Sequence, residues 1–333
     1  MKGNKKMKYL NKHNKSIFLS IILLVIILLS PSLLKSQWML QFSYPQKSDL
    51  LSMNFTDENT GWAVGSNSTL LKTEDGGLSW NPQSIDQLNI TLLSVNFIDT
   101  ENGYLSGRNG KIFKTFNGGK NWNELNTNIK DDIYNVKFIG KEIGFAVGDH
   151  GLILKTVNGG RDWQEYYTGK DKFITSVYFL DEMSGFVSGG KYENDSYVGF
   201  IMKTTDGCKT WTVKYIYNNG FINSLHFAGF NDGWAVGDNG IILRTNDGGK
   251  NWVKILDGMS GNLYSLGFVD IGSIVVVGSD GIILKTYDNG KNWNKEVLAG
   301  KNNLYSIVIT DKKKGYICGD KGIILTETIL TNR

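Results

Sequence analysis

The chain has 333 residues, 40 of them glycine and 3 proline, with 12% aromatic residues. Glycine and aromatics in these amounts suit many short strands joined by tight turns, and a chain this long is built either from several domains or from repeats. Seven of its 36 basic residues lie in residues 1–36, where no acid occurs; the remaining 29 basic against 32 acidic residues give −3, so the positive charge of the whole chain belongs to that segment and is no evidence for a nucleic-acid-binding surface.

Residues 1–15 carry Lys2, Lys5, Lys6, Lys8, Lys12 and Lys15. Residues 17–29 are apolar except for Ser20, and Ser30, Pro31, Ser32 and Ser36 follow. This order of charge, apolar run and small residues predicts a secretory signal over residues 1–36. An uncleaved inner-membrane anchor over residues 17–34 is the alternative, although a spanning helix needs about 20 apolar residues. The absence of Cys from residues 30–37 argues against a lipoprotein cut. The expected location is secreted, periplasmic or in the cell envelope, with membrane contact only through this segment.

Gln37-Trp38-Met39-Leu40 then reads as the Trp-bearing end of a repeat whose beginning is missing. Six full units follow, and each ends in Thr-x-(Asp/Asn)-Gly-x-x-x-Trp, at residues 73–80, 115–122, 156–163, 204–211, 245–252 and, with Asn289 in place of the glycine, 286–293. The six Trp are spaced by 42, 41, 48, 41 and 41 residues, a period typical of repeat architectures. Within a unit an apolar stretch such as residues 223–227 leads to Gly-Trp-Ala-Val-Gly (233–237), then Ile-Ile-Leu-Arg-Thr (241–245), the turn, and Trp252. That order predicts four short antiparallel strands, named here inner, second, third and outer. Asn109-Gly110, Asn239-Gly240 and Asp280-Gly281 join second to third strands and suit the positive φ of tight hairpins. A seventh unit has residues 305–309, 315–319 and 323–326 and then the chain stops. Trp38 lies 42 residues before Trp80, so residues 37–41 should complete that last unit. The expected fold is all-β: a seven-bladed β-propeller over residues 37–333, four antiparallel strands per blade, closed by an N-terminal strand.

Asp75, Asn117, Asn158, Asp206, Asp247 and Asp288 hold the third position of the turn. Asn keeps the acceptor oxygen and loses the charge, which a turn tolerates and a metal or acid–base site does not. These residues are therefore read as structural. The turn resembles the Asp-box, or BNR repeat, of bacterial sialidases. The whole unit, best seen at residues 233–252, resembles the photosystem II stability and assembly factor-like propellers. That resemblance implies a non-enzymatic assembly factor or scaffold. The arginine-rich partner surface of the photosynthetic members does not map here, because Arg108, Arg161, Arg244 and Arg333 fall in separate units.

The residues offer little catalytic chemistry. A sialidase needs an arginine triad, and only Arg108 departs from the repeat. His150 reads as an exposed turn residue and His226 as a packed one; two isolated His do not make a zinc site. Cys208 and Cys318 belong to different units and are expected as separate, inert thiols. No cofactor or metal is implied. Function is expected where the symmetry breaks, on the face of the second-to-third turns. The largest break is residues 190–199, with Tyr192 and Tyr197; Arg108, His150, Asp238, Asp280, Asp320 and Lys321 are expected on the same face. The leading expectation is an exported, non-enzymatic scaffold that binds a protein partner there. The alternative is a glycan-binding or glycoside-hydrolysing Asp-box propeller.

Overall fold

A computed structural model describes residues 37–85 and 88–329, so the expected leader lies outside the described residues. Seven four-stranded antiparallel sheets form the fold, and no α-helix occurs among the described residues. Six blades take their strands in chain order; blade 5, for example, runs Ile222–Ala228, Asp232–Gly237, Ile242–Thr245 and Val253–Leu256. Blade 7 takes Leu304–Ile309, Lys314–Gly319 and Ile323–Thr328 from the end of the chain and Met39–Ser43 from its front. Met39 pairs with Thr326 and Ser43 with Ile323, two residues beyond the expected stretch 37–41.

Second strands are buried, apart from residues 191–193 of blade 4 and Lys314 of blade 7, because each is covered on both sides by neighbouring blades. The two glycines of Gly-x-x-x-Gly have separate causes. A Cβ on Gly61 would meet the Phe55 ring at 2.6 Å, and one on Gly65 would meet the Asp49 carbonyl oxygen at 1.8 Å. The first glycine seats a ring; the second lets the incoming chain cross the strand.

That seated ring is the packing unit between blades. Phe97 stacks on Trp62 of the preceding blade at 3.5 Å, and Trp122 meets Phe97 edge-on at 5.8 Å. Tyr104, Phe138 and Trp163 repeat the arrangement. Blade 7 departs from it. Its inner strand ends in Ile309, and the ring over the second-strand glycine, Gly315, is Trp38. Trp38 is 3% exposed and packs with Val275, Ile283, Ile307, Ile317 and Leu325. The borrowed strand thus supplies both an edge and the aromatic plug that other blades draw from their own inner strand.

A second tie runs along the third strands. Lys114 Nζ donates to the carbonyl of Gly159 in the next blade's Asp-box at 2.8 Å, and Lys203 does so to Gly248 at 2.8 Å. Lys285 faces blade 7, where it meets Glu327 instead. Glu327 pairs with Gly315 where Thr73 pairs with Gly61, so it holds the repeat's threonine place, one residue after the Thr326 suggested by the sequence. Its carboxylate accepts from Lys285 Nζ at 2.6 and 2.8 Å, and Glu296 accepts at 3.0 Å. The Lys285 and Glu327 side chains are 4% and 1% exposed.

Candidate functional site

The Asp-box turns and the inner-to-second turns share one face; the second-to-third turns and the links between blades share the other. In the box at 245–252, Thr245 Oγ1 accepts from Gly249 N at 3.0 Å and donates to Asp247 Oδ1 at 2.8 Å. Asp247 Oδ1 accepts from Asn251 N at 3.0 Å. Asn117 and Asn158 Oδ1 accept the matching N–H groups of Asn121 and Asp162, each at 3.0 Å. Where the residue is acidic, these bonds lower its pKa: Ser79 bonds hold Asp75, Thr210 bonds hold Asp206 and Asn251 bonds hold Asp247 at about 2, below the usual 3.8. A depressed carboxylate stabilises the fold above its unfolded pKa and ceases to do so as pH falls through its folded one. Asp247→Asn, which keeps the acceptor and loses the charge, should therefore lower stability at neutral pH, and its difference from the parent should shrink as pH falls from about 4 to about 2. Thr245→Val, which strands the buried Gly249 N–H, should cost about 1–3 kcal/mol in urea unfolding at any pH.

Cys208 and Cys318 are both free and buried. Burial pushes the Cys208 thiol up to about 12 and raises that of Cys318, so neither is a ready thiolate. Among the described residues, no group of three or more His, Cys, Asp or Glu could hold a metal ion.

On the opposite face, residues 190–199 form an extension of blade 4 rather than a loop. The strands Gly185–Glu193 and Ser196–Thr204 continue the sheet outward and turn at Asn194 and Asp195, both with positive φ. Tyr192 and Tyr197 pair across the hairpin with ring centroids 5.3 Å apart, and they are 57% and 55% exposed. Tyr197 meets Phe221 at 5.5 Å and Phe221 meets Phe173 at 6.2 Å. With Tyr134, Thr175 and Asp238 these rings line a cleft of about 400 Å³. Phe173 and Phe221 were missed in the sequence; each immediately precedes the first buried residue of an inner strand, and that placement was the available signal.

The other expected residues divide by what they touch. Asp238 accepts from Phe221 N at 2.9 Å and from Asn223 Nδ2 at 3.0 Å, so it holds the cleft's floor. Asp320 does the same for Asn303 N at 2.8 Å, and Ser279 for Asn262 N at 2.9 Å. Lys321 N donates to Asp49 Oδ1 and Asp280 N to Asn303 Oδ1, which joins neighbouring blades. His150 is an exposed turn residue with φ 55°, and its Nδ1 lies 3.3 Å from Asp131. Arg108 Nε is 3.7 Å from Asp132, beside the blade that contributes Tyr134. The structure brings Tyr197 and Asp238 together in the cleft, sets Tyr192 against Tyr197 on the hairpin and places Arg108 on the same side. Asp280, Asp320 and Lys321 belong to blades 6 and 7.

The seven inner strands enclose a channel with a cavity of about 430 Å³. Each inner strand has a bulge after its first buried residue, which turns the next two side chains toward the axis. Serines at the third position tie blade to blade: Ser52 Oγ accepts from Val95 N at 3.2 Å, and Ser306 Oγ accepts from Met53 N at 3.3 Å across the closure. His226, expected as a packed residue, lines this channel together with Lys137.

Comparison with known proteins agrees with this architecture. The family described as Photosynthesis system II assembly factor YCF48 matches residues 30–90, 87–170, 167–259 and 256–327. A stretch of 41 residues is 44% identical to Photosystem II assembly protein Ycf48 of Thermosynechococcus vestitus, a match that spans 12% of this chain and 12% of that protein's length. Among solved structures, one titled YCF48 bound to D1 peptide superposes with a TM-score of 0.73 at 23% identity, over 88% of this chain and 97% of the other. YCF48 from Cyanidioschyzon merolae superposes with a TM-score of 0.71 at 21% identity, over 87% and 98%. At these identities the structural likeness is one of fold. The family match runs the length of the propeller, and the chain belongs to the Photosynthesis system II assembly factor YCF48 family.

Proposed function

We propose that this chain is an exported, non-enzymatic scaffold that docks a protein segment in the aromatic cleft of blades 4 and 5. The observation that carries the reading is the concentration of exposed rings where the repeat breaks. Tyr192, Tyr197, Phe173 and Phe221 form a continuous wall beside the hairpin. Rigid aromatic side chains give contact area at low entropic cost, and anchors in a pocket dominate binding energy. The peptide bound to the structural relative supports a partner of this class. The non-enzymatic reading is supported by a channel whose lining contains neither carboxylate nor arginine. Export rests on residues 1–36, and intact-mass measurement of the exported protein tests whether they are removed.

Replacing Tyr192, Tyr197 and Arg108 together, by Ser, Ser and Ala, should abolish co-purification of the partner and leave the unfolding midpoint within about 0.5 kcal/mol of the parent, since these are exposed side chains. Unchanged recovery of every partner would remove the cleft from the account. A screen against sialosides and plant or microbial polysaccharides tests the glycan alternative; saturable binding or turnover there would replace the protein partner.

A further inference from the structure

The fifth position of the inner strands, counted from the first buried residue, does different work around the ring. In blades 1 and 2 it is Asn54 and Asn96, whose Oδ1 atoms accept from Phe97 N and Phe138 N of the following blade, each at 2.9 Å. Blade 3 puts Lys137 there, blade 4 Tyr178 and blade 5 His226; blades 6 and 7 put Gly267 and Val308. A lysine can supply no acceptor for the next blade, so the tie is given up at this point. Tyr178 turns its hydroxyl to Phe227 O at 3.2 Å and sets its ring 6.3 Å from His226. That leaves Lys137 and His226 facing the channel.

The channel's electrostatics are one-sided. Lys137 makes no hydrogen bond or ion pair among the described residues, and no Asp or Glu lines the cavity. Burial lowers the pKa of Lys137, and burial with the nearby Lys137 charge pushes His226 down to about 3. A cation enclosed without a counter-charge is costly unless an anion joins it. In a seven-fold ring the wall facing blade 3 is made by blades 6 and 7. There Gly267 adds no side chain, and Leu266, Phe268, Ile307, Val308 and Ile309 are apolar, beside the polar Tyr264, Ser265, Tyr305 and Ser306. The cavity therefore carries a cation on one wall and, on the opposite one, apolar groups among tyrosines and serines, with room for a small molecule.

We propose that the channel binds a small monocarboxylate with an apolar body, its carboxylate on Lys137 beside His226 and its body against blades 6 and 7. One lysine matches one negative charge, and a neutral imidazole donates to the second oxygen. The site is separate from the aromatic cleft and does not depend on the docking of a protein segment there.

The probe is 4-fluorobenzoate, titrated into the full-length chain at constant ionic strength and followed by fluorine NMR. Saturable binding is expected, with no competition from 4-fluorobenzamide. Lys137→Met should weaken binding by about 10–100-fold, the loss of one charge-assisted bond, whereas Tyr197→Ser should leave it unchanged. Absence of saturable binding to the parent chain, or parental affinity in Lys137→Met, overturns the proposal. A crystal soaked with 4-bromobenzoate gives a readout that needs no variant: bromine against Ile307 and Val308 supports the site, and bromine only elsewhere overturns it.

Discussion

Trp38→Ala should cost the propeller about 3–5 kcal/mol, the loss expected for a large aromatic side chain removed from a closed core. The indole is buried in the seventh blade over Gly315, where earlier blades seat an inner-strand phenylalanine, and Ile309 is too small to replace it. The damage should also be local. Without its plug the strand Met39–Ser43 loses its anchor, and the edge of Ile323–Thr328 opens. Urea unfolding should show a lower midpoint with a smaller slope, since part of the surface is already exposed before the main transition. Trp293→Ala, at a partly exposed Asp-box position, is the control and should cost less. Equal losses in the two variants would mean that Trp38 is an ordinary repeat tryptophan.

Glu327→Ala should be about as damaging, at roughly 3–5 kcal/mol, because it leaves the enclosed charge of Lys285 with only the more exposed Glu296 as partner. The double variant Lys285→Met, Glu327→Leu should recover most of that loss, since an apolar pair of similar size avoids desolvating two charges. Burial alone would lower the pKa of Lys285; its bonds to Glu327 and Glu296, and their charges, outweigh burial and raise it. A lysine whose folded pKa is raised contributes stability that is fully present below its ordinary 10.5 and lost as pH rises through the folded value. The stability difference between parent and double variant should therefore hold steady from about pH 6 to about pH 9 and change in favour of the variant in stronger alkali. A difference that changes mainly near neutrality would contradict this assignment.

The repeat made most of the fold legible. The spacing of Trp80 to Trp293 reports the blade count, and Trp38 at the same interval reports where the missing strand lies. What the period hides is whatever replaces a repeat residue with one of different chemistry. Glu327 holds a threonine's place, and the preceding Thr326 offers itself as that threonine until the pairing with Gly315 corrects the register. The hairpin at residues 190–199 reads as an insertion loop because its turn, Asn194-Asp195, lacks glycine; cross-strand pairing of Tyr192 with Tyr197 is what continues the sheet. Lys137 and His226 were obscured by the bulge near the start of every inner strand, which shifts the alternation of inward and outward side chains by one residue. The cleft rings Phe173 and Phe221 come from different blades, and only the ring geometry brings them together.

Closure by a borrowed strand is the claim on which the seam, the plug and the Lys285–Glu327 pair all depend. Amide hydrogen exchange tests it directly. The amides of Met39–Ser43 and those of Ile323–Thr328 should be protected together and should open with one free energy, close to that of global unfolding. Rapid exchange across Met39–Ser43 while Ile323–Thr328 stays protected would show that the seventh blade stands without the front of the chain.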